Sequence, residues 1–389
     1  MKLISAQIDN LLGSEGRIEV NFNQDINVIT GKNGAGKTTF LKLIWYIISG
    51  NIAQAVAEIN FTKATIQTSE YTCSIFRLNS STCRAQYDTP DGKSIAIEDG
   101  NTDSDEPQFF DARDELAELL YPIGSSLFFP TFRRIEGGFS MGKRRTKVSF
   151  GDGRSSRALE EAMNGLAQRM SNNDHLFITS ISTFDIESML LKSYASLSEE
   201  SNKLQQSTSN DIIAAIRDYK DDHVRSPDNN IESIRTANQV IDSVRQKIER
   251  MESARNEIML PMQAIRKLMS KFFSHSGIKF GPRLSFGDAA SAINSDALSA
   301  GEKQMLSFIC YNALRKNCIA FIDEPELSLH VDWQRLIFPT LLQQNSGNQF
   351  IVATHSPFIY SKYPDKEICI DLNGDKGDNF DNNKDTTDE

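Results

Sequence analysis

This sequence has few cysteines, no long apolar run and no excess of positive charge. Five cysteines are scattered over 389 residues, and none forms a C-x-x-C pair. This excludes a disulfide framework and favours a reducing cytoplasm, with the cysteines as small core residues. No run approaches the roughly 18 apolar residues of a membrane span, so we expect no membrane partner. The net charge of -10 gives no whole-chain argument for nucleic-acid binding.

The hydrophobic pattern predicts an α/β protein. Apolar and polar residues alternate at 3–9 and at 17–22, and an apolar strand at 26–30 leads into a glycine-rich loop and a helix. Residues 57–98 have the pattern of short antiparallel strands, with a hairpin turn at 89–92. The length permits two or three domains, or one domain split by an insertion.

A mostly helical segment is predicted from about 159 to 273, interrupted near 178–184 and at 227–230. Within it, apolar residues alternate at spacings of three and four, with Arg255 in one expected apolar place. They are Ile234, Ala237, Ile241, Val244, Ile248, Met251 and Ile258. This spacing fits an amphipathic helix packed on its own domain, and it fits equally a helical hairpin that dimerises or docks a partner.

A phosphate-binding pattern lies between the strand at 26–30 and the following helix. Gly31 to Thr38 fits G-x-x-x-x-G-K-[ST]. Its glycines let backbone N–H groups converge on phosphate oxygens, and the helix N-terminus adds positive potential. Lys37 is predicted to reach the outer phosphates of ATP, and Thr38 to bind Mg²⁺. The predicted nucleotide contacts in this loop are Asn33, Gly34, Ala35, Gly36, Lys37, Thr38 and Thr39.

An acidic pair follows a second buried strand. The apolar run 318–322 ends at Asp323 and Glu324. Ligands bind at the carboxyl ends of strands in an open parallel sheet, so this pair is predicted to lie beside Lys37. Asp323 would hold Mg²⁺, and Glu324 would act on the attacking water as general base. Without the glycine-rich loop, such a pair would be read as an ordinary surface turn.

Two further motifs flank the acidic pair. Ser299 and Glu302 form an S-x-x-E capping box, and Gly301 leaves the helix end open to a phosphate. The alternative is a helix cap and nothing more. His355 follows an apolar strand at 349–353, where it could contact a γ-phosphate or be a structural histidine.

Together these motifs resemble, in the same order, the ABC-type ATPases of the SMC, RecF and OLD-like branch. The matching segments are Lys37 and Thr38 for Walker A, residues 298–304 for the signature, Asp323 and Glu324 for Walker B, residues 328–332 for the D-loop, and His355 for the switch histidine. The resemblance implies a P-loop NTPase head, with a mixed sheet, flanking helices and an antiparallel β lobe, split by a mostly helical insertion. It also implies a head-to-head dimer with ATP between the protomers, so that Ser299 and Gly301 act in trans. Glu302 of the same motif is a further predicted nucleotide contact.

The sequence departs from that family in three places. No Q-loop glutamine follows Phe129; residues 130–136 stand there, and Arg133 and Arg134 could touch nucleotide, partner or solvent. The insertion is longer than in transporter ATPases and shorter than SMC coiled coils. Only 34 residues follow His355, too few for the Toprim domain of OLD nucleases. The expected segments are a head part at 1–158, the insertion at 159–273, a second head part at 274–373 and an acidic disordered tail at 374–389.

Local charge is uneven. Residues 131–157 hold eight basic and two acidic side chains, whereas seven acidic and two basic side chains follow residue 370. The basic stretch could meet nucleic-acid phosphates, an acidic surface or solvent.

Two functions follow from the resemblance: an ATP-hydrolysing regulatory subunit that controls a separate nuclease or toxin in anti-phage defence, or a RecF-like DNA-repair ATPase. A transporter ATPase is disfavoured by the long insertion.

Overall fold

The computed structural model describes residues 1–98, 100–101, 109–131, 154–179, 183–224, 230–272 and 299–370. Several predictions lie outside the described residues: Arg133 and Arg134, most of the basic stretch 131–157, Leu298 of the signature, and the acidic tail. The described residues before 132, from 154 to 179 and after 315 pack into one compact unit. Those between 183 and 315 form a second.

The secondary structure agrees well with the predicted pattern. The strands are β1 Leu3–Asp9, β2 Arg17–Asn21, β3 Ile26–Thr30, β4 Lys63–Thr68, β5 Thr72–Arg77, β6 Cys83–Asp88, β7 Ser94–Glu98, β8 Gly100–Asn101, β9 Phe109–Phe110, β10 Ser126–Phe129, β11 His175–Phe177, β12 Ile319–Asp323, β13 Gln349–Ala353 and β14 Glu367–Cys369. The helices are α1 Lys37–Ile48, α2 Ile52–Glu58, α3 Ala112–Leu120, α4 Arg154–Met170, α5 Thr183–Val224, α6 Asn230–Phe272, α7 Ala300–Leu314, α8 Val331–Leu342 and α9 Pro357–Tyr360. The pattern did not predict α2, α9, β8, β9, β11 or β14.

The first unit contains a parallel sheet in the order β11-β10-β12-β13-β3-β14. Each neighbouring pair in it is parallel, and β3, β12 and β13 are buried along their whole length. Continuous apolar strands of this kind are typical of sheets covered on both faces. Because β13 lies between β12 and β3, the carboxyl ends of β3 and β12 meet at one edge despite their separation in sequence.

The antiparallel lobe is a second sheet, in the order β2-β1-β4-β5-β6-β7. The fold class predicted from the sequence is confirmed, with parallel and antiparallel strands separated into two sheets rather than mixed in one. In β1, β4 and β6 buried residues alternate with more exposed ones, as expected of a sheet with one face on the core. The predicted hairpin turn is present: Thr89 N donates to Lys93 O at 2.9 Å, and Gly92 N to Thr89 O at 3.0 Å.

Helix α1 contributes to the core on all its sides. Nine of its twelve residues are buried, and its apolar side chains belong to one cluster with residues of both sheets. A helix that is apolar all round is stable only when it is enclosed. Trp45 lies 5.2 Å from the ring of Phe128 and 5.3 Å from that of Phe177 between centroids, and its Nε1 donates to Ser126 Oγ at 3.0 Å. This packing fixes the helix that follows the glycine-rich loop.

The second unit contains a long antiparallel hairpin of α5 and α6, and α7 packs against both helices. The residues of α6 that are half-buried at alternating spacings of three and four are Ala237, Val240, Val244, Lys247, Met251, Ala254 and Ile258. Three isoleucines of the predicted apolar series, Ile234, Ile241 and Ile248, are exposed instead. The sequence of α6 therefore contains two overlapping apolar series with the same heptad period. A helix can pack against one neighbour through only one such series, and here it is the half-buried one.

The cysteine prediction holds for four residues and is wrong for the fifth. Cys73, Cys83, Cys310 and Cys318 are buried, whereas Cys369 is exposed at the end of the edge strand β14. Within the described ranges, no helix combines the length and the apolar character that a membrane crossing requires.

Candidate nucleotide-binding site

The glycine-rich loop begins where β3 ends. Ile370 N donates to Thr30 O at 2.9 Å, so the chain after β14 runs directly beside the loop. A Cβ on Gly31 would lie 2.2 Å from the carbonyl oxygen of Ile370, which leaves no space for any other residue there. Gly34 and Gly36 have φ values of 81° and 83°, in the left-handed region that favours glycine. The loop then enters α1 at Lys37.

Lys37 is 5% exposed, and its ammonium group is held by the loop itself. Its Nζ donates to Gly31 O at 3.0 Å and to Lys32 O at 3.1 Å, and it lies 2.7 Å from His355 Nε2. Burial lowers the pKa of Lys37, while the carboxylates of Glu324, Asp323 and Glu326 act in the opposite direction. The lysine thus faces three acidic side chains that the sequence places almost 300 positions away.

Asp323 ends β12 with a fully buried carboxylate that two hydroxyl groups reach. Thr38 Oγ1 donates to Oδ1 at 3.1 Å and Oδ2 at 2.9 Å. Thr131 Oγ1, two residues after β10, also donates to Oδ2. A buried carboxylate is costly unless it is hydrogen-bonded. The two threonines therefore connect Asp323 to the first turn of α1 and to the loop after β10.

Glu324 has a backbone conformation that is uncommon for its residue type. Its φ is 48°, and its N–H donates to Ala353 O of β13 at 2.9 Å. Non-glycine residues with positive φ cluster at functional sites, where the surrounding structure compensates the strain. Burial raises the pKa of the Glu324 carboxyl to about 8, and the adjacent Glu326 and Asp323 add to the rise.

Glu326 joins the loops after β12 and β13. Its Oε1 accepts from the backbone N–H of His355 at 2.8 Å, and its side chain hydrogen-bonds with that of Glu324. Oε2 is buried, and no donor in the described part of the chain reaches it. A hydrogen bond between two carboxyl groups requires one proton between them, in agreement with the raised pKa of Glu324.

His355 lies between Lys37 and Glu324. Its Nε2 is 2.7 Å from Lys37 Nζ and 3.5 Å from Glu324 Oε1. These two contacts require opposite roles, because a lysine ammonium can only donate whereas an ion pair with Glu324 needs a protonated ring. The shorter contact decides: Nε2 accepts from Lys37, and Glu324, at a pKa of about 8, is mostly neutral near pH 7.

The groups around Asp323 suit Mg²⁺. One carboxylate and two hydroxyl groups converge there, all oxygen donors of the hard type that this ion prefers. Magnesium usually keeps several waters and takes few protein ligands, so Asp323 and Thr38 are sufficient as direct ligands. The residues present therefore fit the ion that the sequence predicts.

The signature residues belong to the second unit. The predicted capping box is confirmed: Glu302 N donates to Ser299 Oγ at 3.3 Å, and Ser299 N donates to Glu302 Oε2 at 2.7 Å. Gly301 is buried in the first turn of α7. The structure thus brings Lys37, Thr38, Asp323, Glu324 and His355 together in one unit, while Ser299, Gly301 and Glu302 form a separate helix end in the other.

Sequence reasoning missed two residues of this cluster. Thr131 occupies the place where a Q-loop glutamine was sought, and a search for a polar side chain within two residues of the end of β10 would have found it. Glu326 lies two positions after Glu324 in a D-E-P-E run, whose third acidic residue was not given a role. Its contact with His355 depends on the pairing of β12 with β13, which no local pattern shows.

A curated relative from Escherichia coli, "Retron Ec83 probable ATPase", is 36% identical to this chain over 92 residues. That match covers 20% of this chain and 17% of the relative's own length, so the chain spans a small part of it. Two solved structures were also found: the Smc head domain with an extended coiled coil, bound to the C-terminal domain of ScpA, from Pyrococcus furiosus, and the SmcHead bound to the C-winged helix domain of ScpA.

Their identities to this chain are 14% and 13%, with TM-scores of 0.35 over 92% and 93% of this chain and 91% of each neighbour. These scores are too low to support an argument. The match to a protein family is far broader. The family described as "AAA domain, putative AbiEii toxin, Type IV TA system" matches residues 26–361, which include the glycine-rich loop, the acidic pair and His355, and this chain belongs to that family.

Proposed function

We propose that this protein binds and hydrolyses ATP with Mg²⁺, dimerises through its ATPase heads, and controls a separate effector in anti-phage defence. One observation carries the ATPase part: Lys37, Thr38, Asp323, Glu324 and His355 converge at the edge where β3, β12 and β13 end. Their residue types are those that phosphoryl transfer requires.

The contacts of Lys37 indicate how the site would respond to a nucleotide. Its ammonium group is bound to two loop carbonyls and His355, and these are weak partners compared with phosphate oxygens. When the outer phosphates of ATP reach the loop, Lys37 would exchange these contacts for charge-assisted ones. His355 would then be released from Lys37, and as the tautomer that carries its proton on Nε2 it would donate to the γ-phosphate, so its position would depend on the nucleotide.

Thr38 and Asp323 would hold the metal. Bound Mg²⁺ would neutralise charge that develops on the phosphates. Thr38 and Asp323 are already within hydrogen-bond distance of each other, so the metal site needs little rearrangement. Thr131 would keep the Asp323 carboxylate oriented while Thr38 turns towards the ion.

Glu324 is the proposed general base for the attacking water. It can accept a proton only as a carboxylate, and its pKa of about 8 keeps most of it protonated near pH 7. Turnover should therefore be slow near neutrality and rise with pH as the carboxylate fraction grows. A slow, adjustable hydrolysis suits a regulatory ATPase better than a metabolic enzyme.

Head dimerisation is the finer part of the proposal. The N-terminal end of α7, with Ser299, Gly301 and Glu302, would contact the nucleotide bound by a second protomer, as the sequence resemblance implies. A capped helix N-terminus with a glycine in its first turn suits a phosphate. The family description and the retron relative support a role in defence, and hence an effector as partner.

The decisive experiment compares three variants of the full chain. Lys37→Ala should lose ATP binding in a calorimetric titration. Glu324→Gln should bind ATP, fail to release phosphate, and associate further through its heads when ATP is added, seen as a rise in mass in size-exclusion chromatography with light scattering. Glu19→Gln, on the exposed side of β2, is the matched control and should behave like the unmodified protein. ATP binding that survives in Lys37→Ala would refute the assignment of the site.

The second candidate, a DNA-repair ATPase that binds DNA directly, rests on the charge of residues 131–157. Reversal of Arg144 and Arg145 to glutamate should then weaken DNA binding and reduce its dependence on salt, because fewer phosphate counterions are released. Unchanged DNA affinity in that variant would leave the regulatory ATPase as the better proposal.

A further inference from the structure

The long hairpin carries an apolar patch that its own packing leaves in solvent. Five isoleucines of α5 and α6 keep a large part of their surface exposed: Ile213 52%, Ile216 51%, Ile234 61%, Ile241 63% and Ile248 39%. Single exposed apolar residues are ordinary, whereas a contiguous group indicates a contact surface. We refer to these five residues as the isoleucine patch.

The patch occupies one face of the hairpin. Ile213 directly follows the half-buried Ile212, and Ile241 directly follows the half-buried Val240. Ile216 and Ile248 likewise come one residue after half-buried positions. Each therefore lies about 100° further round its helix than the residue that faces the other helix. Because α5 and α6 run antiparallel, the same rotation on both helices brings these side chains to the same side.

The isoleucines of the two helices are also at the same level. Lys247 Nζ donates to the backbone oxygen of Asp211 at 3.3 Å, which places these two positions of α5 and α6 within about one helical turn of each other. In an antiparallel pair each step forward on one helix is a step back on the other. Ile213 and Ile216 are then opposite positions near 245 and 242, between Ile241 and Ile248. Ile234 extends the patch towards the hairpin tip.

The size of the patch fits the core of a dimer interface. Its exposed fractions amount to roughly 500 Å² of apolar surface per chain, at ~180 Å² for a fully exposed isoleucine. A standard interface buries about 800 Å² on each partner, and about 65% of it is apolar in homodimers. The patch therefore supplies about as much apolar area as one such interface needs.

We propose that the isoleucine patch pairs with the same patch of a second copy of this chain, around a twofold axis at Ile241. Ile234 and Ile248 are each seven residues from Ile241, so an antiparallel pair of α6 helices places Ile234 of each copy opposite Ile248 of the other. A surface that matches itself in this way is what a twofold interface requires.

The charges around the patch favour this occupant over nucleic acid. Residues 211–218 and 234–249 together hold four basic and four acidic side chains, so two copies do not repel each other. A nucleic acid would need a positive surface, which a balanced set of charges does not provide. This contact needs no nucleotide, and it is therefore separable from the proposed head dimer.

Cysteine cross-linking of the full chain tests the geometry. The exposed Cys369 is first replaced by serine, since the other four cysteines are buried. In that background Ile241→Cys should form a disulfide-linked dimer under mild oxidation without ATP, because a residue on a twofold axis meets its own copy. Gln239→Cys, exposed on the opposite side of the seam, is the matched control and should remain uncross-linked.

The mass in solution provides the second measurement. Without nucleotide, light scattering should give twice the chain mass for the unmodified protein and for Lys37→Ala, and the mass of one chain for Ile241→Glu combined with Ile248→Glu. Gln239→Glu should remain dimeric. Four results would each overturn the proposal. In solution they are a monomeric unmodified protein or a dimer that survives the double substitution. In cross-linking they are equal cross-linking at Gln239 or a cross-link to another protein. Retention of the dimer in Lys37→Ala separates this result from any failure of the ATPase proposal.

Discussion

The buried histidine of β11 makes a quantitative prediction about stability in acid. His175 is fully buried, and its Nδ1 shares a hydrogen bond of 2.7 Å with Ser126 Oγ, which also accepts from Trp45. Burial lowers the pKa of His175 from 6.5 to about 4, while the Ile123 carbonyl and Asp174 act weakly in the opposite direction. The folded state thus binds fewer protons than the unfolded state between these two values.

The sign and size of the effect follow by linkage. His175 contributes its full stability above pH 6.5, and this contribution is lost as the pH falls towards about 4. A shift of this size corresponds to about 3 kcal/mol in total, and to about 2 kcal/mol between about pH 7.5 and pH 5. The raised pKa of Glu324 has the opposite effect, because protonation of that group favours the folded state.

Substitution of the histidine isolates its contribution. Urea unfolding followed by tryptophan fluorescence at the two pH values gives a stability difference for the unmodified protein and for His175→Gln. Glutamine retains a hydrogen-bonding group without a titration in this range. We expect the difference in unfolding free energy between the two pH values to be about 2 kcal/mol smaller in the variant. The contributions of Glu324 and the other carboxyls are the same in both proteins and cancel in the comparison. Equal pH dependence in both proteins would refute the assignment of a buried neutral histidine.

Three further predictions concern the site and its supports. Glu326→Gln should lower the pKa of Glu324, because it removes a negative neighbour. The increase of ATP turnover with pH should then begin about one to two pH units lower. An unchanged pH profile would mean that burial alone sets the pKa of Glu324. Gly31→Ala should lower the free energy of unfolding about 1–3 kcal/mol more than Gly92→Ala. Both glycines have positive φ, but only at Gly31 would an added Cβ collide with a backbone atom. Equal losses of stability in urea unfolding would contradict that collision. Ser299→Ala should destabilise α7 by about 1 kcal/mol, measured as faster amide hydrogen exchange in its first turn.

Local signals were strong at the glycine-rich loop and at α7. The pattern Gly31 to Thr38 between a strand and a helix, and the spacing of Ser299 and Glu302, each need only a few neighbouring residues, and the structure shows the predicted strand, helix and cap. The apolar runs before Asp323 and His355 likewise predicted buried strands, because a sheet covered on both faces tolerates few polar residues.

The hairpin shows where local signals fail. Its sequence contains two apolar series of the same period, and only the position of α5 selects the one through which α6 packs. Periodicity alone left open whether Ile234, Ile241 and Ile248 pack within the chain or against a partner, and the structure leaves all three in solvent. A pattern on one helix cannot report the rotation that a neighbouring helix imposes on it.

The sequence by itself determined the phosphate-binding loop, the buried strands and the acidic pair, because each depends on residues close together in the chain. Only the tertiary structure decided which side chains share the site. The order β12-β13-β3 brings Asp323 to Thr38 and His355 to Lys37, and it recruits Thr131 and Glu326 from loops whose sequence gives no such indication. Contacts between strands distant in sequence are fixed by sheet order, which no local pattern of residues encodes.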